Sequence, residues 1–270
     1  MFERAARSPK THSGVQSEFA RWAREETAID TELRAFLGRA FNLKTIAEFG
    51  WHESVGNHLS AALSADGRRF LLNPRWRHFA LLRASDLLRL DALDHSVMDK
   101  PDAPDASAWT IHGSIHRSAP NARVILHCHP PYATALACLE DPALKPIDQN
   151  TARFFELVSL DLNFGGIADD EAEGARLAAL LGDRPILLMG NHGVTVTAPT
   201  VAQAFEHLYF LERAAQTLML AYASGRPLSI LSDETARRTA DGWRAYDGMA
   251  FAHFEQLKMM LDKKDPSYRE

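Results

Sequence analysis

Twice in this chain, two short apolar stretches are joined by a turn too tight to hold a crossover, which restricts the strands it links to antiparallel pairing. The first pair is His58–Leu63 and Arg69–Leu72 around Asp66-Gly67; the second is Pro185–Met189 and Val194–Thr197 around Gly190-Asn191-His192-Gly193. Asn73-Pro74 closes the first, and a further hairpin is expected between Leu87–Leu90 and the segment after Asp94. Helical periodicity marks Trp109–Arg117, Tyr132–Leu139 behind Pro130-Pro131, and Glu171–Leu181 with Gly182 as its stop. A capping box of Thr200 and Gln203 opens a longer helix carrying Val201, Ala204, Phe205, Leu208, Leu211, Ala215 and Leu218. Helices interleaved with tightly turned strands predict a mainly antiparallel sheet covered by helices, rather than a doubly wound parallel one.

The 270 residues suit one large domain. Residues 1–15 read as a frayed polar start, 16–225 as the domain, with two helices expected between Ser17 and Phe49, and 226–270 as a helical tail. In that tail Trp243, Tyr246, Met249, Phe251, Phe254, Leu257 and Met260 predict a helix with more apolar surface than a tail exposes, packed on the domain or on a neighbouring subunit. A net charge of −5 offers no field for nucleic acid or for a membrane surface. With no signal-peptide pattern and no 18-residue apolar run, a cytoplasmic protein is expected. Cys128 and Cys138 are too few for a disulfide framework and read as small buried hydrophobes.

The chemistry concentrates at the strand end His127-Cys128-His129. Side chains alternate along a strand, so both imidazoles project from one face and Cys128 from the other. Two imidazole nitrogens make half a metal site, and open catalytic sites take three protein ligands. His192, in a glycine-flanked turn, is the third candidate.

The run from His112-Gly-Ser-Ile-His116 through Pro120 to His127-Cys-His129-Pro-Pro-Tyr resembles the metal-site segment of the class II aldolase/adducin family. So do Met189-Gly-Asn-His-Gly-Val194 with Thr200–Glu212, Gly56-Asn57-His58-Leu59-Ser60, and Phe70-Leu-Leu-Asn-Pro74, in the family's order between about Phe36 and Ser224. The resemblance implies a three-layer α/β/α sandwich with a central, mainly antiparallel sheet. It also implies a tetramer with sites at subunit boundaries, and a divalent metal on His127, His129 and His192: zinc first, iron or manganese otherwise.

Two departures from the family pattern bear on function. The sugar-phosphate aldolases carry a Ser-Ser-Glu stretch whose Glu is the acid/base group; here Ala106-Ser107-Ala108 stands there, so the Glu position falls on Ala108. His116 and Glu53 are the candidate substitutes. On the phosphate side Gly56 and Asn57 are kept, but the second element reads Asn73-Pro74-Arg75, in which Arg75 offers a fork for an anionic small molecule. The resemblance therefore implies a metal-dependent lyase, by aldol cleavage or by decarboxylation, the latter needing no base to take a carbon-bound proton. Two alternatives share the fold: a non-haem iron oxygenase on the same three histidines, and a non-catalytic, adducin-like assembly module of the cytoskeleton.

Overall fold

The computed structural model describes residues 43–246 and 248–270. The two helices expected between Ser17 and Phe49 lie largely outside the described residues, which begin with α1, Leu43–Glu48. The chain then forms β1 (His58–Ala62), β2 (Arg69–Leu72), β3 (Leu88–Asp91), α2 (Ala106–Ser118), β4 (Val124–Cys128), α3 (Pro131–Ala137), α4 (Gln149–Ala152), β5 (Val158–Asp161) and α5 (Glu171–Leu181). β6 (Ile186–Met189), β7 (Gly193–Ala198), α6 (Val201–Ala223), α7 (Asp233–Arg244) and α8 (Gly248–Lys264) complete it.

The strands make one seven-stranded sheet in the order β3-β2-β1-β4-β7-β6-β5. Every neighbouring pair is antiparallel except β5 with β6. Strand alternation divides the core between the two faces. Leu126, Cys128, Leu188, Val194 and Val196 pack with Phe205, Leu208 and Leu211 of α6, while Ile125, Leu187 and Met189 pack with Ile111 and Ile115 of α2 and Leu177 and Leu181 of α5. This is the expected three-layer sandwich.

Three expectations are corrected, and β5 is a strand that the sequence pattern does not announce. The segment after Asp94 is a short 3-10 turn, His95–Asp99, so among the described residues β3 pairs with β2 alone; the Asp94 carboxylate accepts from Ser96 N and turns the chain there. β5 carries only four residues and alternates buried with half-buried positions, too short to stand out as a strand. Cys138 ends α3 and is exposed, while Cys128 is buried as read. The apolar tail is two helices rather than one, with Trp243 on α7 and Phe254 on α8; Phe254 reaches the main core beside α6.

Candidate metal centre

β4 delivers His127 to the sheet face opposite Cys128, where it registers with His58 of β1 on one side and with Thr195 of β7 on the other. His129 follows at the strand end, before Pro130 and Pro131 start α3. His192 comes from the turn between β6 and β7, and three backbone bonds fix that turn. Gly190 N donates to Asp161 O at the end of β5, Asn191 N to Ala137 O at the end of α3, and His192 N to Met189 O. Asn191 takes a left-handed backbone, φ 56°, which asparagine tolerates better than most residues.

These positions bring the three rings together: a nitrogen from each of His127, His129 and His192 lies within 4.8 Å of the others. His127 Nε2 and His129 Nε2 are 3.2 Å apart. Nitrogens each about 2.0–2.1 Å from one tetrahedral ion sit about 3.3 Å apart. Thr195 Oγ1 lies 3.2 Å from His127 Nδ1 and 3.4 Å from Met189 Sδ, so with its proton on the sulfur it is free to accept from His127 Nδ1–H. His129 Nδ1–H donates to Glu53 Oε2 at 2.5 Å. In the tautomer with both Nδ1 atoms protonated, the two Nε2 lone pairs face each other, an arrangement that a cation relieves, and the carboxylate behind His129 is the support that metal-bound imidazoles use. Burial holds His192 down at about 4, and desolvation drives His127 well below the usual imidazole range, so both rings stay neutral and able to donate to an ion.

Close packing depends on Gly193. A Cβ there would lie 2.4 Å from His129 Cδ2 and 2.8 Å from the Cys128 carbonyl oxygen.

Glu53 meets His129 because its turn is tied: Asn57 Oδ1 accepts from Glu53 N at 2.6 Å, and Gly56 N donates to Glu53 O. Asn57 Nδ2 is buried with no partner among the described residues. Asn73 spends both ends of its amide on the scaffold, accepting from Leu59 N at 2.7 Å and donating to Asn57 O. Arg75 stacks over Trp76, 4.3 Å from its ring centre, and both line a cavity of about 640 Å³ whose wall includes none of the three histidines. His116 is buried and bonded to Ser60 and to Ala122 O, one strand removed from the trio. Ala108 is packed with Phe70, Leu72 and Trp109.

Sequence reasoning missed Glu212 as a functional residue. This buried carboxylate on α6 accepts from Tyr132 N and Ala133 N, at 2.9 and 2.8 Å, and so caps the N-terminus of α3 just behind His129. Burial pushes its pKa up, against the pull of those two N–H groups. Glu212→Leu is expected to cost about 1–3 kcal/mol of stability by orphaning both donors. It is also expected to weaken metal affinity roughly 10–100-fold, as loss of ligand support does; denaturant titration and a competitive metal assay read the two effects.

The model of the class II aldolase and adducin N-terminal domain matches residues 42–219. An aldolase II superfamily protein from Pseudomonas syringae has a crystal structure that superposes with a TM-score of 0.80 at 26% identity, covering 91% of this chain and 98% of that one. Two Streptomyces proteins are each 26% identical: the decarboxylase NovR of Streptomyces niveus, over 83% of this chain and 86% of its own, and the 4-hydroxy-3-prenylphenylpyruvate oxygenase/4-hydroxy-3-prenylbenzoate synthase of Streptomyces roseochromogenus, over 80% of each. The chain belongs to the class II aldolase and adducin family. Among the described residues no helix is long and apolar enough to cross a membrane.

Proposed function

We propose that this protein is a metal-dependent lyase that breaks a carbon–carbon bond in an oxygenated, anionic small molecule, with decarboxylation favoured over aldol cleavage. The observation that carries the reading is the convergence of His127, His129 and His192, one nitrogen from each within 4.8 Å of the others and the Nε2 atoms of His127 and His129 3.2 Å apart. A divalent cation held there, zinc first and manganese or iron otherwise, would polarise a carbonyl or hydroxyl oxygen and stabilise the negative charge that develops as the bond breaks. Glu53 holds His129 in the tautomer that leaves Nε2 free, and Asn57 holds Glu53. Asn57 Nδ2, a buried donor with an open valence, suits an anionic substrate oxygen. Ala108 carries no carboxylate, which is no obstacle where carbon dioxide leaves and no carbon-bound proton is taken.

Metal analysis of protein purified from its own host, with carbon dioxide release and oxygen uptake measured on 2-oxo and 2-hydroxy acids, tests this reading. About one zinc or manganese per chain and carbon dioxide release without oxygen uptake are expected, with metal lost in His192→Ala. Iron with oxygen uptake would move the protein to the oxygenase reading. Absence of any bound divalent metal would leave the adducin-like assembly role.

The reading includes a homotetramer with its sites at subunit boundaries. Exposed Leu162 and Phe164 lie beside the turn of His192, whose ring lies 6.1 Å from that of Phe164, and apolar groups so placed suit a covering subunit. Light scattering is expected to give the mass of four chains, and a monomer would contradict this part.

A further inference from the structure

Four side chains behind the metal centre form a continuous buried chain on β1 and the inner face of α2. His58 Nδ1 lies 2.8 Å from His112 Nε2, and His112 Nδ1 bonds to Ser60 Oγ. Ser60 Oγ lies 2.7 Å from His116 Nε2, and His116 Nδ1 lies 2.7 Å from Ala122 O. None of the four is more than 4% exposed. At the outer end the His58 ring stacks on that of His127, 4.6 Å between centres and 19° between planes. At the inner end the backbone carbonyl of His116 is packed against Gly67, where a Cβ would come within 1.9 Å.

A backbone carbonyl can only accept, and that fact sets the direction of the whole chain. His116 must therefore carry its proton on Nδ1. Burial holds this ring neutral, with a pKa pushed down to about 3, so its Nε2 is an acceptor and takes the Ser60 hydroxyl proton. Ser60, its one proton spent, accepts from His112 Nδ1–H. His112, also held neutral by burial, is left with a bare Nε2, which accepts from His58 Nδ1–H. The opposite direction would set a buried His116 lone pair against the Ala122 carbonyl oxygen. Among the described residues no hydrogen bond reaches His58 Nε2, which lies across the ring from the bonded nitrogen. The charged and titratable groups acting on His58 are Asp105, at the N-cap of α2, and the rings of His112, His127, His129 and His192. The Asp105 carboxylate is occupied by the N–H groups of Ser107 and Ala108 and by the Ser107 hydroxyl.

We propose that Ser60, His112 and His116 are positioning residues that lock His58 in its Nδ1–H tautomer, so that His58 Nε2 is presented beside the metal centre as an acceptor for a substrate hydroxyl. The choice of ligand rests on the metal-centre reading; the tautomer does not. The chain does the work that a positioned carboxylate oxygen does elsewhere, offering an acceptor without placing a negative charge in the wall of the site.

The test is 15N–1H NMR of the full-length chain labelled in its histidine rings, stripped with chelator and then loaded with zinc, with His58 assigned by subtraction using His58→Gln. Expected is His58 with protonated Nδ1 and Nε2 in the unprotonated-nitrogen region, unchanged in kind when zinc loads His127, His129 and His192. His116→Gln keeps the direction, its amide N–H replacing Nδ1–H and its carbonyl accepting from Ser60, and should retain that signature. His116→Phe frees the Ser60 hydroxyl to donate to His112 Nδ1, which reverses the chain and should move His58 Nε2 into the protonated region. Ser60→Ala, which removes only one oxygen, should leave His58 a mixture of both tautomers. A wild-type His58 protonated at Nε2, a zinc-coordinated His58 Nε2, or a His58 signature indifferent to both His116→Phe and Ser60→Ala would overturn the proposal. A chain that shows the expected tautomers but takes up no zinc would sink the metal reading instead.

Discussion

Lowering the pH from 7 to about 4.5 is expected to strip on the order of 5 kcal/mol from the stability of this fold, through His112 and His116 alone. Both rings are buried and held neutral, His116 with a pKa near 3 and His112 well below the usual range, desolvation being the first cause in each. In the unfolded chain an imidazole takes a proton near pH 6.5. The folded pKa values are the lower ones, so acid favours the unfolded state. The contribution is complete above about 6.5 and falls by about 1.36 kcal/mol per pH unit for each ring, down to the folded pKa. A marginally stable domain, with about 5–15 kcal/mol in hand, cannot absorb much of that. The window lies above the range where most carboxylates titrate, which keeps the two effects apart. Urea midpoints followed by circular dichroism should fall steadily from pH 6.5 to 4.5, and His116→Gln should reduce the slope by the contribution of one ring, about 1.36 kcal/mol per pH unit. A flat profile over that range would mean that these rings are not buried neutral in solution.

Gly193→Ala should abolish tight metal binding. The new methyl would sit 2.4 Å from His129 Cδ2, which can swing aside, and 2.8 Å from the Cys128 carbonyl oxygen, which is held in the ladder between β4 and β7. The ring must yield to the first contact and the Gly193 backbone to the second, so His129 leaves Glu53 and its Nε2 leaves its place opposite His127. Overpacking of this kind costs about 1–3 kcal/mol. Metal affinity is expected to fall by at least the roughly 100-fold seen at the upper end when ligand support is lost. Gly182→Ala, at a helix end with φ 57°, serves as a control for glycine loss away from the centre: it should lower stability and leave metal affinity unchanged. Calorimetric titration with zinc reads both, and equal affinities in the two variants would contradict the role given to Gly193.

Much of the layer structure was legible from turn residues and periodicity, because Asp66-Gly67 and Gly190–Gly193 force antiparallel neighbours and because Thr200 with Gln203 announces α6. The three histidines were legible for the same reason, being placed by strand alternation and by one turn. The support behind them was not. Glu212 lies 79 residues from Ala133 in sequence and Glu53 lies 76 residues from His129, and no local pattern records such a pairing. The histidine chain was half visible: His112 and His116 stand one helical turn apart, which shows that they share a face but not that Ser60 bridges them. His116, a candidate substitute for the acid/base group that the family pattern places at Ala108, sits where both of its nitrogens are already engaged.

α3 joins two of the three arms of the centre. Its seven residues begin immediately after Pro130, where Glu212 clamps the first turn, and end at Ala137, whose carbonyl holds the backbone of Asn191 next to His192. His129 and His192 are thus mounted on opposite ends of a single rigid strut. The gap between those two donors is set by this helix together with the β4–β7 ladder, which pairs Cys128 with Val194, rather than by loop compliance, so a change of ion is met by a change in affinity more than by an adjustment of the frame. Inserting or deleting one residue within this helix would rotate one arm by about a quarter turn relative to the other, which makes its length the quantity to vary in redesigning the centre for a different ion.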